Sequence, residues 1–454
     1  MTGPALTRSL RLPHATALVV GTILGSAVFV QASELTEHVP RIWAVLLAWT
    51  VSGVLTLFGA LACAELASAF PRTGGVYVFL RETYAPVAGF LWGWAMFWVM
   101  HSGIIAAMAT VFGRYAAFFV PMGDRGIRAV AVSAIVGISA LNYVGVKRSS
   151  TVQTVFTIGK VIAVALIVVV GATLGSRLPE HFQQGTALVD HGVHAQPFLL
   201  ALIAGLFAFG GWHVVTYTAE ETVDPERTIP SALVLGIVIV TACYVALNTV
   251  YFYVLPLDRV VRSTRVAADT ATTLLGARGG AAISALVMFS VFGAMTGSIL
   301  AAPRVYFAMA KDGLLFDWVN HVHPRFRTPG RAIVLQACWA SVLAATGTYR
   351  QLFTRVIFTE WIFFALMAAG IFLLRRRPDY RPVYRVWGYP WAPIVFVVAS
   401  ATIVINRLVS EPIDSAIGLG IVALGVPVFY LSSGASAFRR DRPPARRTAE
   451  SAHR

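Results

Sequence analysis

Long apolar runs alternate with short polar segments along almost the whole chain. A helix needs about 20 mostly apolar residues to cross a ~30 Å hydrocarbon layer, and about twelve runs reach or approach that length. The predicted spans are 14–37, 43–68, 84–120, 127–145, 152–175, 198–217, 231–255, 280–311, 332–347, 351–374, 390–408 and 414–433. The pattern predicts an all-α membrane protein of about twelve transmembrane helices with no separate soluble domain.

The composition is typical of a chain embedded in a bilayer. Hydrophobic residues make up 57% of the 454 residues and charged residues 13%, and the mean hydropathy is +0.71. Soluble domains are closer to half apolar and a quarter charged. The net charge of +15 suggests nucleic acid as one partner, but the basic residues are scattered between the spans. We therefore interpret the charge as topological and predict no nucleic-acid partner.

The distribution of lysine and arginine predicts the orientation. With the N-terminus inside, the cytoplasmic segments hold about twice as many basic residues as the outer segments, although Arg259, Arg262 and Arg265 lie in an outer loop. The first span lacks a convincing cleavage site and is followed by many others, so we interpret it as an uncleaved helix. We expect a multi-pass protein of the cell membrane, specifically the bacterial inner membrane, with both termini cytoplasmic.

Two predicted spans carry small residues near mid-membrane. The first contains GTILGSAVF at 21–29, and the sixth contains FAFGGW at 207–212. Interrupted helices at matching positions of two halves indicate the binding site of an inverted-repeat transporter. Unwinding exposes backbone N–H and C=O groups that hydrocarbon cannot satisfy but a zwitterion can. The helix ends add matching dipoles, so such a site needs no charged side chain.

Four motifs around these breaks resemble those of one family. GSAVF at 25–29 is similar to a Gly-Ser-Gly-Ile-Phe motif of helix 1, and FAFGGW with the acidic loop after it is similar to helix 6. PRVYFAMAKDG at 303–313 and HPRFRTP at 323–329 follow in the expected order. Over roughly residues 12–410 the chain resembles the amino acid–polyamine–organocation (APC) superfamily, most closely its L-type amino acid transporter branch and the bacterial relatives of that branch.

This resemblance implies a five-plus-five inverted repeat, the LeuT-like arrangement, with broken helices 1 and 6 and two peripheral helices. The implied divisions are a cytoplasmic N-terminus over 1–13, a first repeat over 14–175, a second repeat over 198–374, helices 11 and 12 over 390–433, and a cytoplasmic tail over 434–454.

The resemblance also implies where an amino acid would bind. Its carboxylate is expected on backbone N–H groups and the small hydroxyl of helix 1, and its amine on backbone carbonyls of both broken helices. Phe207 matches the aromatic gate of the family, and we assign Trp212 to the gate as well. The expected substrate-binding residues are Ile23, Gly25, Ser26, Ala27, Phe207, Ala208 and Gly210.

Three features depart from the family pattern. Ala27 replaces the second glycine of the helix 1 motif and adds a methyl group, which allows a smaller substrate or a shifted pose. His213 stands where relatives often carry asparagine, so side-chain preference there is open. In animal relatives a cysteine before helix 4 bonds to an ancillary glycoprotein. The loop 121–126 has no cysteine, so we expect no disulfide-linked ancillary subunit.

Lys160 lies within the fifth predicted span, where a charge costs ~3 kcal/mol or more at the bilayer centre. The alternative is a lysine that snorkels to the inner interface. In the family, a lysine here occupies the place of the sodium ion of sodium-coupled relatives, so we predict sodium independence. We assign Lys160 to coupling, either by tying helix 5 to the helix 1 break or by carrying a proton. Exchange and proton symport both stay open.

Other polar residues are weaker candidates. Glu65 is interpreted as an interfacial or gating residue, or as simply solvated, and His101 as a packing residue or a titrating one. Glu360 lies mid-span and needs a proton or a partner that the sequence does not identify. Candidates for an inner gate are Glu220, Glu221, Asp224 and Arg227, and candidates to face Lys160 are Ser290, Thr296 and Ser298.

The sequence favours a secondary active transporter of amino acids, with neutral L-amino acids as cargo. A carrier of cationic amino acids or polyamines is expected to have acidic side chains at the breaks, and neither break contains one. A membrane sensor or enzyme is the alternative from a different class. The histidines are dispersed and no nucleotide-binding glycine loop occurs, so we expect no enzymatic activity, cofactor or metal.

Overall fold

The fold was analysed in a computed structural model, which describes residues 8, 10–25, 27–144, 149–175, 195–323, 325–326, 328–347 and 349–431. These residues form helices and connecting turns, with one isolated β-bridge and no strand among them. The predicted all-α architecture is therefore confirmed for the described part of the chain.

Eight helices make up the first part of the fold. The first apolar segment is divided into two helices by a 3-10 turn at Ala27–Phe29. A π-helical turn at Met96–Met100 joins the fifth helix to the sixth. The helices are α1 (Leu12–Ile23), α2 (Gln31–His38), α3 (Ile42–Ala69), α4 (Val76–Thr83), α5 (Pro86–Ala95), α6 (His101–Ala116), α7 (Asp124–Val144) and α8 (Ser149–Leu174).

Eight more helices follow. A 3-10 segment at Trp212–Glu221 continues the ninth helix after an interruption. The helices are α9 (Ala195–Ala208), α10 (Pro225–Val254), α11 (Leu257–Arg262), α12 (Val266–Lys311), α13 (Gly330–Thr346), α14 (Tyr349–Leu374), α15 (Trp391–Ser410) and α16 (Pro412–Leu431).

Nine helical segments of the described residues are long and apolar enough to cross a membrane, and three shorter apolar helices accompany them. Each predicted span overlaps one of these segments. The multi-span architecture is confirmed, whereas the count of twelve crossings stays a prediction. α12 begins at Val266 rather than at 280, and it is kinked at Gly276, where φ is 70°, before the predicted span starts.

Small residues let the central helices approach closely. A side chain at Gly53 of α3 would collide with Thr241 of α10, and a side chain at Gly236 of α10 would collide with Val19 of α1. In a bilayer, where lipid tails are as apolar as the side chains, such close packing is a main source of helix association. α3 and α10 thereby form, with the interrupted helices α1 and α9, the packed unit that positions the site.

Glu65 ties α3 to the connection that follows α14. Its side chain is 0% exposed, so the interpretation as a simply solvated residue is wrong. Arg375 donates from Nε to Oε1 at 2.9 Å and from Nη2 to Oε2 at 2.6 Å. The Tyr380 hydroxyl and the Val386 backbone N–H also donate to this carboxylate, at 3.3 Å and 2.6 Å. The hydrogen bond to Glu65 raises the pKa of the Arg375 guanidinium.

We expect Glu65→Gln to destabilise the fold strongly, because one partner of a buried ion pair would be left uncompensated, at about 3–5 kcal/mol. The measurement is the unfolding temperature of the purified protein in detergent. Arg72→Gln is the control, since Arg72 pairs with Glu82 at 3.6 Å but is 64% exposed, so that its loss costs about 0–1 kcal/mol. Equal shifts in the two variants would contradict a buried clamp at Glu65.

Candidate substrate site

Two interrupted helices meet at the centre of the fold. α1 ends at Ile23 and the chain continues through the turn at Ala27–Phe29 into α2. α9 ends at Ala208, and Gly211, with a φ of 96°, directs the chain into the 3-10 segment. That conformation is readily open only to glycine, which explains why the second break falls at this pair of glycines. The predicted breaks in the first and sixth spans are therefore present.

A cavity lies between the two breaks and contains about 570 Å³ of empty space, part of it open to solvent. The two breaks supply its backbone walls, and α6, α12 and α14 supply side chains. The lining residues are Thr22, Ile23, Gly25, Ala27, His101, Ile104, Ala107, Met108, Phe207, Ala208, Gly210, Gly211, Val214, Ser298 and Glu360.

The structure places most of the predicted binding residues around one space. Of the seven named from the sequence, Ser26 lies outside the described residues, and the other six line the cavity. Trp212, expected in the gate, is buried and packs on Phe364, with ring centroids 4.9 Å apart, and its gating role stays a prediction. Gly211 and Met108 line the cavity without having been predicted. A methyl group at Gly25 would come within 3.2 Å of Met108, which explains the absence of a side chain there.

Tyr244 of α10 is the residue that sequence reasoning missed. Its hydroxyl lies 3.0 Å from the carbonyl oxygen of Ile23 and 2.7 Å from that of Ala208, so it can donate to the last residue of either broken helix. Its ring is held by Trp49 and Phe209, at centroid distances of 4.8 Å and 4.9 Å. A tyrosine in an apolar span carries no sequence signal of its own, because the span pattern does not show which helix ends it faces.

The freed backbone groups are partly satisfied by the protein itself. Besides the hydroxyl of Tyr244, the carbonyl oxygen of Ile23 accepts the Gly25 N–H at 2.6 Å. The carbonyl of Phe207 accepts the Gly210 N–H at 2.9 Å. Each carbonyl oxygen has two lone pairs, so these bonds leave capacity for a further donor at Phe207 and Ala208. The breaks are thus stable without ligand and still able to accept an ammonium group.

Lys160 and Thr22 hold the first break in place. The Lys160 ammonium donates to the carbonyl oxygen of Gly21 at 2.9 Å, and its side chain is 2% exposed. It therefore points into the protein rather than snorkelling to an interface. Thr22 Oγ1 lies 2.8 Å and 3.0 Å from the carbonyl oxygens of Leu18 and Val19 in its own helix and 3.2 Å from that of Gly211 in the second break, so its one proton can be donated to only one of them at a time. Thr157, one turn before Lys160, donates to the carbonyl of Ala17 at 2.9 Å.

The serine and threonine candidates of α12 have other roles. Thr296 donates to the carbonyl of Phe292 in its own helix at 2.8 Å, and Ser298 lines the cavity. The Ser290 hydroxyl has no hydrogen-bond partner among the described residues. Lys160 is instead bonded to the main chain of α1.

Three ionisable side chains form a polar wall beside the cavity. Glu360 and His101 line it, at 3% exposure each, and the ring of His213 lies 6.4 Å from the ring of His101. Among the described residues, Glu360 Oε1, His101 Nδ1 and both ring nitrogens of His213 have no hydrogen-bond partner. Buried polar atoms normally have one, so these atoms are the groups most available to a ligand or water. The π-helical turn directly before His101 is a feature often found at functional sites.

The acidic loop after the second break makes contacts to several segments. Glu221 pairs with Arg304 of α12 at 3.3 Å, and Glu220 Oε1 accepts the backbone N–H of Thr73 at 3.2 Å. Leu10 forms a parallel bridge with Thr222 of the same loop. These contacts join the predicted inner-gate residues to the chain before α1. Asp224 and Arg227 lie at the start of α10 and are linked through their backbones.

Apolar spanning helices that enclose a cavity between two helix breaks define a multi-pass membrane transporter. A sequence model of the amino acid permease family matches residues 10–428. The chain therefore belongs to the amino acid permease family of the APC superfamily, whose members are transporters and not enzymes.

Several characterised proteins are similar over nearly their full lengths. The chain is 33% identical to the serine/threonine exchanger SteT of Bacillus subtilis (strain 168), over 94% of this chain and 97% of that protein. It is 31% identical to the large neutral amino acids transporter small subunit 2 of Rattus norvegicus, over 94% and 81%. It is 29% identical to the human cystine/glutamate transporter, over 94% and 85%.

We expect Tyr244→Phe to weaken transport and lower thermal stability, because both helix ends lose their shared donor. Leaving a buried acceptor unsatisfied costs about 1–3 kcal/mol. Tyr251→Phe is the control on the same helix, since the buried Tyr251 hydroxyl has no partner among the described residues. The measurements are the unfolding temperature and amino acid counterflow in liposomes. If both variants behave alike, the hydroxyl of Tyr244 does not hold the breaks.

Proposed function

We propose that this protein is a sodium-independent secondary transporter that exchanges neutral L-amino acids across the cell membrane by alternating access. The observation that carries the proposal is the cavity between two helix breaks, whose backbone groups suit the two charges of a zwitterion. The carboxylate would lie on the N–H groups of Ser26 and Ala27, with Gly25 nearby. The amine would lie on the carbonyls of Phe207, Ala208 and Gly210, with Phe207 as the gate, and it would compete with Gly25 and Tyr244 for the carbonyl of Ile23.

The side chain of the substrate would meet the polar wall. With the carboxyl and amino groups at the breaks, the remaining space is bounded by Ser298, His101 and Glu360. Groups of this kind favour a small side chain that can form hydrogen bonds, such as that of serine or threonine. The similar Bacillus protein is a serine/threonine exchanger, which supports the same choice.

Glu360 also gives a specific reason to test a cationic substrate. Neither break contains an acidic residue, which disfavours such cargo. The fold brings a carboxylate from α14 to the same cavity, and a carboxylate can pair with a cationic side chain. We keep neutral amino acids as the proposal, because Glu360 is the one acidic side chain that lines the described cavity.

We also propose an arrangement for the whole chain. Two interrupted helices, each opening one half of the chain, support a five-plus-five inverted repeat over 14–175 and 198–374. The basic residues of the predicted cytoplasmic segments support placing both termini inside. We propose the bacterial inner membrane as the location and no disulfide-linked subunit.

The test is uptake of labelled alanine, serine, leucine and arginine into proteoliposomes without sodium. Each substrate is measured with empty and amino-acid-loaded lumens, with and without an inward proton gradient. We expect serine and alanine uptake that requires internal amino acid. Net uptake into empty vesicles driven by the proton gradient would replace exchange with symport. Preferred uptake of arginine would assign Glu360 to a cationic substrate, and no uptake of any substrate would overturn the proposal.

The roles of Lys160 and Glu360 are separable by substitution. We expect Lys160→Met to lose exchange about tenfold or more, since a charge-assisted bond to the first break is removed. Lys311→Met, at the exposed end of α12, is the control for loss of a lysine. We expect Glu360→Gln to retain exchange of alanine and to change the preference among serine, leucine and arginine. If Glu360→Gln instead abolishes a proton-driven component, Glu360 carries the coupling proton.

A further inference from the structure

The side chains of the connection between α14 and α15 form two rows, an inner edge that faces the protein and an outer edge that is exposed. From Tyr380 to Trp387 its residues alternate between partly or fully buried and exposed positions. Side chains alternate in this way along an extended segment that lies on a protein surface. The exposed members are Arg381, Val383, Arg385 and Trp387.

The inner edge is fixed to α3. Tyr380 and Val386 donate to the buried carboxylate of Glu65. Between them, the backbone N–H of Tyr384 donates to Ser68 Oγ at 3.1 Å, and the Ser68 hydroxyl lies 3.2 Å from the carbonyl oxygen of Tyr384. The segment is therefore held at three points along its length, and its outer side chains are presented by a preorganised backbone.

The arginines of this connection also fall into a group bonded to the protein and an exposed group. Arg375 binds Glu65, and Arg377 donates to the carbonyl oxygens of Glu82 and Thr83 at 2.8 Å each. The other three are exposed, and their guanidinium groups have no hydrogen bond or ion pair to the described residues. They are Arg376, Arg381 and Arg385. Asp379 is the one acidic residue between α14 and α15, so the outer edge is net positive.

Large apolar side chains share this edge. Trp387 is 81% exposed, Trp391 71% and Val383 53%. Water-exposed tryptophans of this kind are costly, whereas tryptophan is enriched where a membrane surface offers an apolar layer beside a polar one. The segment also lies directly between two apolar helices, Phe358–Leu374 and Trp391–Ser410, which places it at a membrane surface.

We propose that this segment, residues 376–391, is a docking site for anionic phospholipid headgroups. The three outward guanidinium groups would bind lipid phosphates, and Trp387 and Trp391 would lie at the level of the headgroups. Guanidinium is suited to phosphate because its fork of N–H donors bonds two oxygens at once. Glu65 acts as a positioning residue, since it holds the inner edge against α3 while the outer edge binds lipid.

The test is retention of phosphatidylglycerol against phosphatidylcholine by the purified full-length protein, counted by native mass spectrometry. The substituted protein carries Arg376→Gln, Arg381→Gln and Arg385→Gln. The matched control carries Arg259→Gln, Arg262→Gln and Arg278→Gln, which removes three exposed arginines near α11 and the start of α12. We expect the first variant to bind phosphatidylglycerol about tenfold or more weakly, and the control to bind it as the unsubstituted protein does.

A second measurement tests whether Trp387 and Trp391 lie at the level of the lipid headgroups. Brominated phosphatidylglycerol should quench part of the protein fluorescence, and this part should be absent from a Trp387→Phe, Trp391→Phe variant. Unchanged phosphatidylglycerol retention in the three-arginine variant would overturn the proposal, and so would an equal loss in the control. Neither readout requires transport, so the outcome is independent of the proposed exchange activity.

Discussion

A backbone N–H or C=O group inside a bilayer has no water to bond, so every interruption of a spanning helix must be satisfied by something else. The rest of this structure depends on how that constraint is met at two places. At the ends of α1 and α9 the main chain bonds partly to itself. The remaining acceptors face Tyr244, Thr22 and Lys160. These side chains replace the missing helical bonds and leave the breaks ordered around a cavity rather than collapsed or fully closed.

The same three side chains also make the breaks interdependent. Tyr244 lies on α10 and reaches both broken helices, the Thr22 hydroxyl can bond either its own helix or the second break, and Lys160 connects α8 to the first break. A displacement of either break therefore changes bonds at the other. In an alternating-access transporter, binding at the breaks must be coupled to motion of whole helices, and shared hydrogen bonds of this kind provide a physical route for that coupling.

The spans and the two helix breaks could be predicted from the sequence, because hydropathy and glycine content are properties of each local segment. Residues 21–29 and 207–212 carry their own signals, and six of the seven named binding residues line the cavity. Tyr244, Met108 and the position of Glu360 could not be predicted, since each depends on how one helix is rotated against another. The ends of the spans were harder to predict, because counting apolar residues does not detect a helix that continues beyond the hydrocarbon. α12, for example, extends past its apolar core and is kinked at Gly276.

Glu65 and Glu360 show how the structure separates two carboxylates that look alike in sequence. Both are buried within apolar helices, at 0% and 3% exposure. Glu65 accepts four hydrogen bonds, two of them from an arginine, and its burial is compensated by contacts that only a fixed geometry supplies. Glu360 lines the cavity, and its Oε1 has no partner in the described part of the chain. A buried acceptor without a partner is costly. A transporter can bear that cost where bound substrate, water or a proton supplies the missing partner during each cycle, which assigns the structural role to Glu65 and the ligand-facing role to Glu360.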